Sequence, residues 1–300
     1  MIYNGGITTS LPEVLAMKLR IVLVGCVLAL SLFNVAAPSF AEELLVFAGA
    51  ASKPPTEEAG RVFEKRTGVK VNLTFGGSGF VLSQMELGKK GDIYFPGSSD
   101  FMEVAKRKGL VFPGSEKTVV YVVPAINVVA GNPKAVKSLH DLAKPGLRVA
   151  IANPEGVCVG LYAVEIIERN FSPMEKAAFR KNLVNYTESC EKTATVISLK
   201  AADAVIGWRV FQYWNPERIQ TIPLKKEEIV RIGYIPIAIS KLTANRPLAQ
   251  RFIDFIVSDE GRAIFRKYHY FMTPEEAFAW IGEKKAVGGE YKLPAEWIAK

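Results

Sequence analysis

Phe47-Ala-Gly-Ala-Ala-Ser-Lys-Pro-Pro55 is the stretch on which the fold turns. Its small residues form a turn between an apolar strand, Glu43 to Phe47, and a helix that Pro54 and Pro55 can open, because proline fits the first turn of a helix. The pattern then repeats: Val69 to Phe75 reads as a strand, Gly76-Gly-Ser-Gly79 as a turn and Phe80 to Lys89 as a helix. Turns of Gly, Ala and Ser that lead from a strand into a helix expose N–H groups and hydroxyls where the helix dipole favours an anion. The two turns are therefore expected to form one wall of a site for a small oxyanion.

Outward from this pair, Thr56 to Thr67 is amphipathic and ends at Gly68, Gly91 to Gly97 holds a short apolar strand, and Ser99 to Lys108 is a helix stopped by Gly109. Alternation of this kind predicts a parallel sheet flanked by helices. Val119 to Val129 is β-prone and too long for an ordinary strand, so it is taken as a first crossing between two lobes. Beyond it come a short helix at Ser138 to Leu142, a strand at Arg148 to Ala152, the turn Asn153-Pro-Glu-Gly-Val-Cys-Val-Gly160 and helices at Leu161 to Arg169, Glu175 to Leu183 and Thr193 to Ala201. The strand Ala204 to Trp208 follows. Ile229 to Ile239, again with a proline, mirrors the first crossing. Arg246 to Val257 and Asp259 to Tyr268 read as closing helices, and Glu283 to Lys300 as a loosely packed tail. The expected fold is α/β and two-lobed, each lobe a mostly parallel sheet flanked by helices. Residues 42–124 plus 238–300 form lobe 1 and 125–237 form lobe 2, with a cleft between two extended crossings as the natural ligand site.

Residues 1–41 read as a leader to be removed. Met17 to Arg20 gives a basic start, Ile21 to Val35 an apolar core and Ser39-Phe-Ala41 a small-x-small cleavage signal, with residues 1–16 upstream of the start that reads best. Leu23-Val-Gly-Cys26 resembles a lipoprotein box but sits early in the apolar run. Without the leader, and so without Lys18, Arg20 and Glu13, 36 basic and 29 acidic residues remain, a net charge of +7. That balance suits small anions. The basic residues are interspersed with acidic ones, as in Lys225-Lys-Glu-Glu228, and form no basic and aromatic stripe, so no nucleic-acid partner is expected.

Catalytic signatures are missing. Two lone histidines, His140 and His269, cannot build a multi-histidine metal centre, Gly76 to Phe80 falls one glycine short of a nucleophile elbow, and no phosphate-loop lysine follows a glycine turn. The chain is expected to be a binder and not an enzyme, with no cofactor and no metal. Four turns at strand ends remain, Ala48 to Lys53, Gly76 to Gly79, Asn153 to Gly160 and Glu188 to Thr193. In an open α/β sheet such turns can converge on one ligand.

From Leu44 to about Tyr270 the chain resembles the periplasmic molybdate- and tungstate-binding components of ABC importers. The likeness lies in Phe47-Ala-Gly-Ala50, Phe75-Gly-Gly-Ser-Gly79, Gly91-Asp-Ile-Tyr-Phe95, Asn153-Pro-Glu155 with Gly160-Leu-Tyr162, and the strand ending at Trp208. It implies a two-lobed periplasmic binding fold, monomeric, that holds a tetrahedral dianion by hydroxyls and backbone N–H groups and hands it to an inner-membrane permease. By position, Ser78, with Gly79 beside it, matches a serine that donates to the oxyanion; Val159 matches a backbone donor, and Cys190 falls where another would lie. The first-turn serine of the family is matched by Ala51 with Ser52 beside it. A ligand-donating tyrosine is matched by Trp208, whose indole N–H can donate from a larger ring. Arg209, next to it, is expected at the surface, solvated or salt-bridged.

Cys158 and Cys190 fall in two turns that the resemblance puts on one side of the cleft. They read either as a disulfide stapling those turns, in keeping with an oxidising compartment, or as thiols that meet a thiophilic ligand or act as a redox latch. The alternative functions are accordingly a related receptor retuned for another anion or a thiophilic metal species and, from another class, a periplasmic thiol redox enzyme. Glu155, Glu188 and Glu191 flank the same turns and are expected in solvent.

Overall fold

The computed structural model describes residues 42–298 together with residues 1, 2 and 5; the expected leader, its cleavage signal and Cys26 lie outside the described residues. β1 (Glu43–Gly49) is buried over most of its length and so reads as a continuous apolar run, as a strand covered on both faces does. It runs into α1 (Lys53–Thr67) through a 3-10 turn at Ala50–Ser52. The units β2 (Lys70–Gly76) with α2 (Ser78–Gly88) and β3 (Ile93–Phe95) with α3 (Ser99–Arg107) repeat the motif. β2 and β3 pair in parallel with β1 on either side, so all three strands deliver their helices at the same edge of the sheet.

β4 (Lys117–Val122) is followed after one residue by β5 (Pro124–Val129), which belongs to another sheet. The second sheet holds β6 (Val149–Ala152), followed by α4 (Cys158–Asn170) and α5 (Pro173–Asn182); β7 (Leu183–Thr187), followed by α6 (Cys190–Ser198); and β8 (Ala204–Trp208), followed by the short α7 (Phe211–Trp214) and β9 (Ile219–Ile222). Its order is β7-β6-β8-β5-β9, with β6 parallel to β7 and β8, and β5 antiparallel to β8 and β9. β10 (Arg231–Ile239) returns to the first sheet, antiparallel to β3 and β4, and its register slips between Ile235 and Pro236, where proline has no N–H to give. α8 (Arg246–Val257), α9 (Asp259–Lys267) and α10 (Pro274–Ile281) pack on the first lobe and its margin, and β11 (Ala286–Val287) adds to β10.

The two-lobed α/β architecture is as expected, with local differences that have physical causes. Pairing with β11 from Arg231 and with β4 from Gly233 takes in the second crossing, so the chain is already in the first sheet ahead of the expected boundary at 238. The tail is not loosely packed: β11 joins the sheet, Trp297 is buried, and its indole donates to Glu168 while Arg180 stacks on its ring. The helices α1, α2, α4 and α6 begin two to three residues before their apolar periodicity does, inside the small-residue turns. This last difference shapes the site.

Candidate functional site

With those early starts, the sequence-nominated residues other than Ala51, in the 3-10 turn, and Trp208, at the end of β8, fall on the caps or first turns of four helices. Ser52 caps α1 and follows Ala51; Ser78 and Gly79 open α2; Cys158 and Val159 open α4; Cys190 opens α6. First-turn N–H groups have no acceptor within their own helix. Ala51, Ser52, Ser78, Cys158, Val159, Cys190 and Trp208 are all buried, at 1% exposure or less, so both lobes close over them. Ala51, Cys158, Val159, Cys190 and Trp208 share one apolar cluster that runs from the first sheet to the second.

Gly97 is where they meet. A Cβ there would stand 2.6 Å from both the Ala51 Cβ and the Cys158 Sγ, and 3.5 Å from the Ser78 Oγ, so only glycine fits. The Ser78 Oγ accepts the Gly97 N–H at 2.9 Å, which leaves its proton free to donate, and Cys158 lies within its hydrogen-bond reach. Ser52 is tied to its own helix by Thr56, whose hydroxyl donates to it at 3.1 Å. The Cys158 and Cys190 sulfurs are 3.7 Å apart as free thiols, not a disulfide.

Three tyrosines frame this centre. Tyr94 donates to the Ser78 carbonyl at 2.9 Å, Tyr270 to the Ala51 carbonyl at 2.6 Å, and Tyr162 lies edge-on to Trp208 with ring centroids 4.9 Å apart. Burial pushes all three phenols well above their usual range and does the same to the Cys158 thiol, with Cys190 and Asp100 adding to the latter. The Trp208 Nε1–H is buried without an acceptor. Such groups are rare, and an ordered water or a ligand satisfies them; the Trp214 Nε1–H is a second one.

Charge is kept off the centre. Arg231, 5% exposed, donates to Glu165 at 2.7 Å, to Asp100 at 2.8 and 3.2 Å, to the Tyr162 hydroxyl at 3.1 Å and to the carbonyls of Gly288 and Gly289. Burial opposes its charge, yet Tyr162, Asp100 and Glu165 more than offset this and raise its pKa. Arg209 corrects its sequence reading: it is 6% exposed, donates to the His269 carbonyl and the Tyr213 hydroxyl, and stacks 4.0 Å from the Phe271 ring. Burial lowers its pKa.

At the mouth, the Gly79 N–H donates to the Gly156 carbonyl at 2.9 Å and Lys53 pairs with Glu191 at 2.5 Å, each bond joining the lobes. The Gly79 N–H is thus committed to protein. A Cβ on Gly156 would lie 2.4 Å from the Phe80 ring that covers it. Glu155 and Glu188 are exposed, and Glu191 is half-buried at the rim. Neither histidine joins the site: His140 pairs with Glu175 at 2.6 Å and His269 stacks on Tyr213 at 3.9 Å. Among the described residues no group of three or more His, Cys, Asp or Glu could hold a metal ion, and no helix is long and apolar enough to cross a membrane.

Gly97, Tyr94, Tyr270 and the Arg231 cluster were not nominated from sequence. Gly97 carried a signal in Phe95-Pro-Gly97; the others carried none, because their partners are far away in the chain.

Residues 44–271 match the family model described as bacterial extracellular solute-binding protein. A binding protein of Haemophilus influenzae is 28% identical over 75% of this chain and 89% of its own length, and a molybdate-binding protein of Rhodobacter capsulatus is 24% identical over 79% and 91%. Among solved structures, the periplasmic molybdate-binding protein of Azotobacter vinelandii aligns with a TM-score of 0.64 at 20% identity, over 77% of this chain and 99% of its own. The sulfate-binding protein SubI of Mycobacterium tuberculosis aligns with 0.67 at 16%, over 82% and 93%.

Proposed function

We propose that this chain, which belongs to the bacterial extracellular solute-binding protein family, captures a small tetrahedral oxyanion of the molybdate or tungstate type outside the cytoplasm and delivers it to an ABC importer. The observation that carries the proposal is the meeting of three helix N-termini, those of α2, α4 and α6, from two lobes beside the Ala50–Ser52 turn and around buried neutral donors, with the Trp208 Nε1–H left without a protein acceptor; α1 itself opens on Pro54 and Pro55, which have no N–H to give. Aligned first-turn N–H groups present partial positive charge without a counter-ion, and preorganised dipoles hold an anion without reorganising. The Ser78 hydroxyl, whose oxygen accepts the Gly97 N–H, has its proton shared between the neighbouring Cys158 sulfur and a ligand.

The solute-binding relatives and the molybdate-binding proteins among them support this class of ligand. Within it, cavity size and donor geometry select the anion, and separation of the lobes releases it. Export through residues 1–41, a monomeric receptor and a membrane permease as partner belong to the same proposal.

The test is titration of the purified protein with molybdate, tungstate, sulfate and phosphate, read by native mass spectrometry and thermal shift. One-to-one binding with a rise in Tm is expected for at least one of them. Failure of all four to bind refutes the oxyanion assignment.

A further inference from the structure

The two thiols at the centre of the cradle are unexplained by a hydrogen-bonding site for a dianion. The Cys158 and Cys190 sulfurs stand 3.7 Å apart, each 1% exposed, each on the first residue of a helix. Two thiolates about 2.3 Å from one shared centre lie about 3.3–3.8 Å apart if the angle between them is right to tetrahedral, and about 4.6 Å apart if the centre is linear. The observed separation fits a bent, shared centre.

We propose that Cys158 and Cys190 give the cradle a second ligand chemistry, capture of the neutral hydroxide of a trivalent thiophilic metalloid, for which arsenious acid is the probe. The step is a condensation without redox change. Each S–H proton leaves with one hydroxide of As(OH)3 as water; two As–O bonds break, two As–S bonds form, and arsenic stays trivalent with one hydroxyl. That hydroxyl keeps an oxygen that can accept the orphan Trp208 Nε1–H or the Ser78 proton. Soft centres favour sulfur ligands, and condensing a neutral acid with two neutral thiols buries no net charge. The groups that crowd the Cys158 sulfur at Gly97, namely Ala51 and Ser78, are themselves uncharged. Because both lobes cover the sulfurs, the ligand enters while the lobes are apart and is shielded once they meet.

This rests on taking the cradle as the ligand site, and the test separates the two claims. The full chain, reduced and freed of reductant, is titrated in parallel with arsenite, arsenate and molybdate, with native mass spectrometry and Tm as readouts. Arsenite is expected to add one As–OH less two hydrogens per chain and to raise Tm. Cys26→Ser keeps that adduct, while Cys158→Ser and Cys190→Ser each weaken it on the order of 100-fold, the loss of one of two linked attachment points. Arsenate, which needs a reductant to condense with thiols, gives no such adduct. Binding of molybdate without an arsenite adduct overturns this inference and leaves the oxyanion proposal standing. An arsenite adduct with no binding of molybdate, tungstate, sulfate or phosphate supports the inference and overturns that proposal, and absence of the adduct and of all four anions overturns the two together. An adduct that survives in Cys158→Ser or Cys190→Ser, or depends on Cys26, also overturns the inference. In Cys26→Ser only Cys158 and Cys190 remain to hold the adduct, so that chain decides the outcome and misfolding of the other two variants cannot hide it.

Discussion

Replacing Arg231 by methionine tests how the lobes are joined behind the site. All three nitrogens of the guanidinium donate, to two carboxylates, a phenol and two carbonyls reached from α3, α4 and the C-terminal tail. Asp100 is 4% and Glu165 5% exposed, so the substitution leaves two carboxylates out of water with their shared cation gone. Removing one partner from a buried ion pair costs about 3–5 kcal/mol, which at about 2–4 °C per kcal/mol for a domain near this size is a fall in Tm of about 6–20 °C. Urea unfolding followed by tryptophan fluorescence should show a lower midpoint with an unchanged slope. The penalty comes from stranded charge, not lost packing, so adding Asp100→Asn and Glu165→Gln to Arg231→Met should restore about 1–3 kcal/mol. A loss below about 1 kcal/mol would place the cluster in the weak class of exposed pairs, and a full loss without recovery would show that packing, and not charge, was removed. Either result refutes the reasoning.

Alkali should destabilise the protein through Tyr94, Tyr162, Tyr270 and Cys158. Burial raises their folded-state pKa values above the ordinary 10.0 and 9.0, so full stability holds below those values and falls as the unfolded chain deprotonates first; a flat Tm between about pH 8 and 11 contradicts this. In acid, Glu175 is held down to about 2 from 4.5 by the Ser172 N–H, the Ser172 hydroxyl and His140, so its contribution is present above 4.5 and lost as pH falls towards 2. Glu175→Gln should flatten that part of the acid limb, and an unaltered limb counts against the capping arrangement. Trp208→Phe should cost about 1–3 kcal/mol of stability through the cavity left by the smaller ring, with nothing added for a lost hydrogen bond because the indole N–H has no protein partner. The same change should weaken oxyanion affinity by about 1–3 kcal/mol; titration showing wild-type affinity takes the indole out of the site. Gly97→Ala should cost about 1–3 kcal/mol by forcing Ala51 and Cys158 apart, measured by the shift of the urea midpoint, and a neutral variant would mean that the centre is looser than its distances imply.

Much of this was legible in sequence because it is local. Apolar runs such as Leu44 to Ala48 and the glycines that cap α1 and α10, Gly68 and Gly282, report covered strands and helix ends directly, and the small-residue turns mark where strands hand over to helices. What periodicity misses is the helix start. Ser78, Cys158 and Cys190 lie in turns by their neighbours' polarity and size, yet each is the first residue of a helix. An N-terminal turn facing a site needs no apolar stripe of its own, so nothing in the pattern announces it. Arg231 was illegible for another reason. Its partners Asp100, Glu165 and Gly288 lie 131, 66 and 57 residues away, and only the closed arrangement of strands, helices and tail brings them together. Arg209 looked like a surface cation because charge usually is exposed. Its cage of Phe271, Tyr213 and Trp280 is assembled from three later segments.

The ties between the lobes differ sharply in strength from one side of the site to the other. At the mouth stand the Lys53–Glu191 pair, partly exposed and so worth about 0–1 kcal/mol, and the Gly79–Gly156 backbone bond, worth about 1 kcal/mol net. Behind the site, Arg231 joins α3 to α4 and fastens the tail, Arg209 joins β8 to the His269 carbonyl, and the single residue between β4 and β5 leaves little slack. Breaking the Arg231 cluster alone costs several times the mouth contacts together. Separation of the lobes is therefore cheapest at the mouth, with the buried charge cluster retained as the pivot. Such an opening breaks the partly exposed Lys53–Glu191 pair and uncovers Ser78, Cys158 and Cys190 before it strands any buried ion pair. The arrangement also explains why the centre can stay free of charge: the cations that hold the lobes in register are spent on carboxylates, carbonyls and aromatic faces outside it, so the donors left for a ligand are N–H, O–H and S–H groups alone.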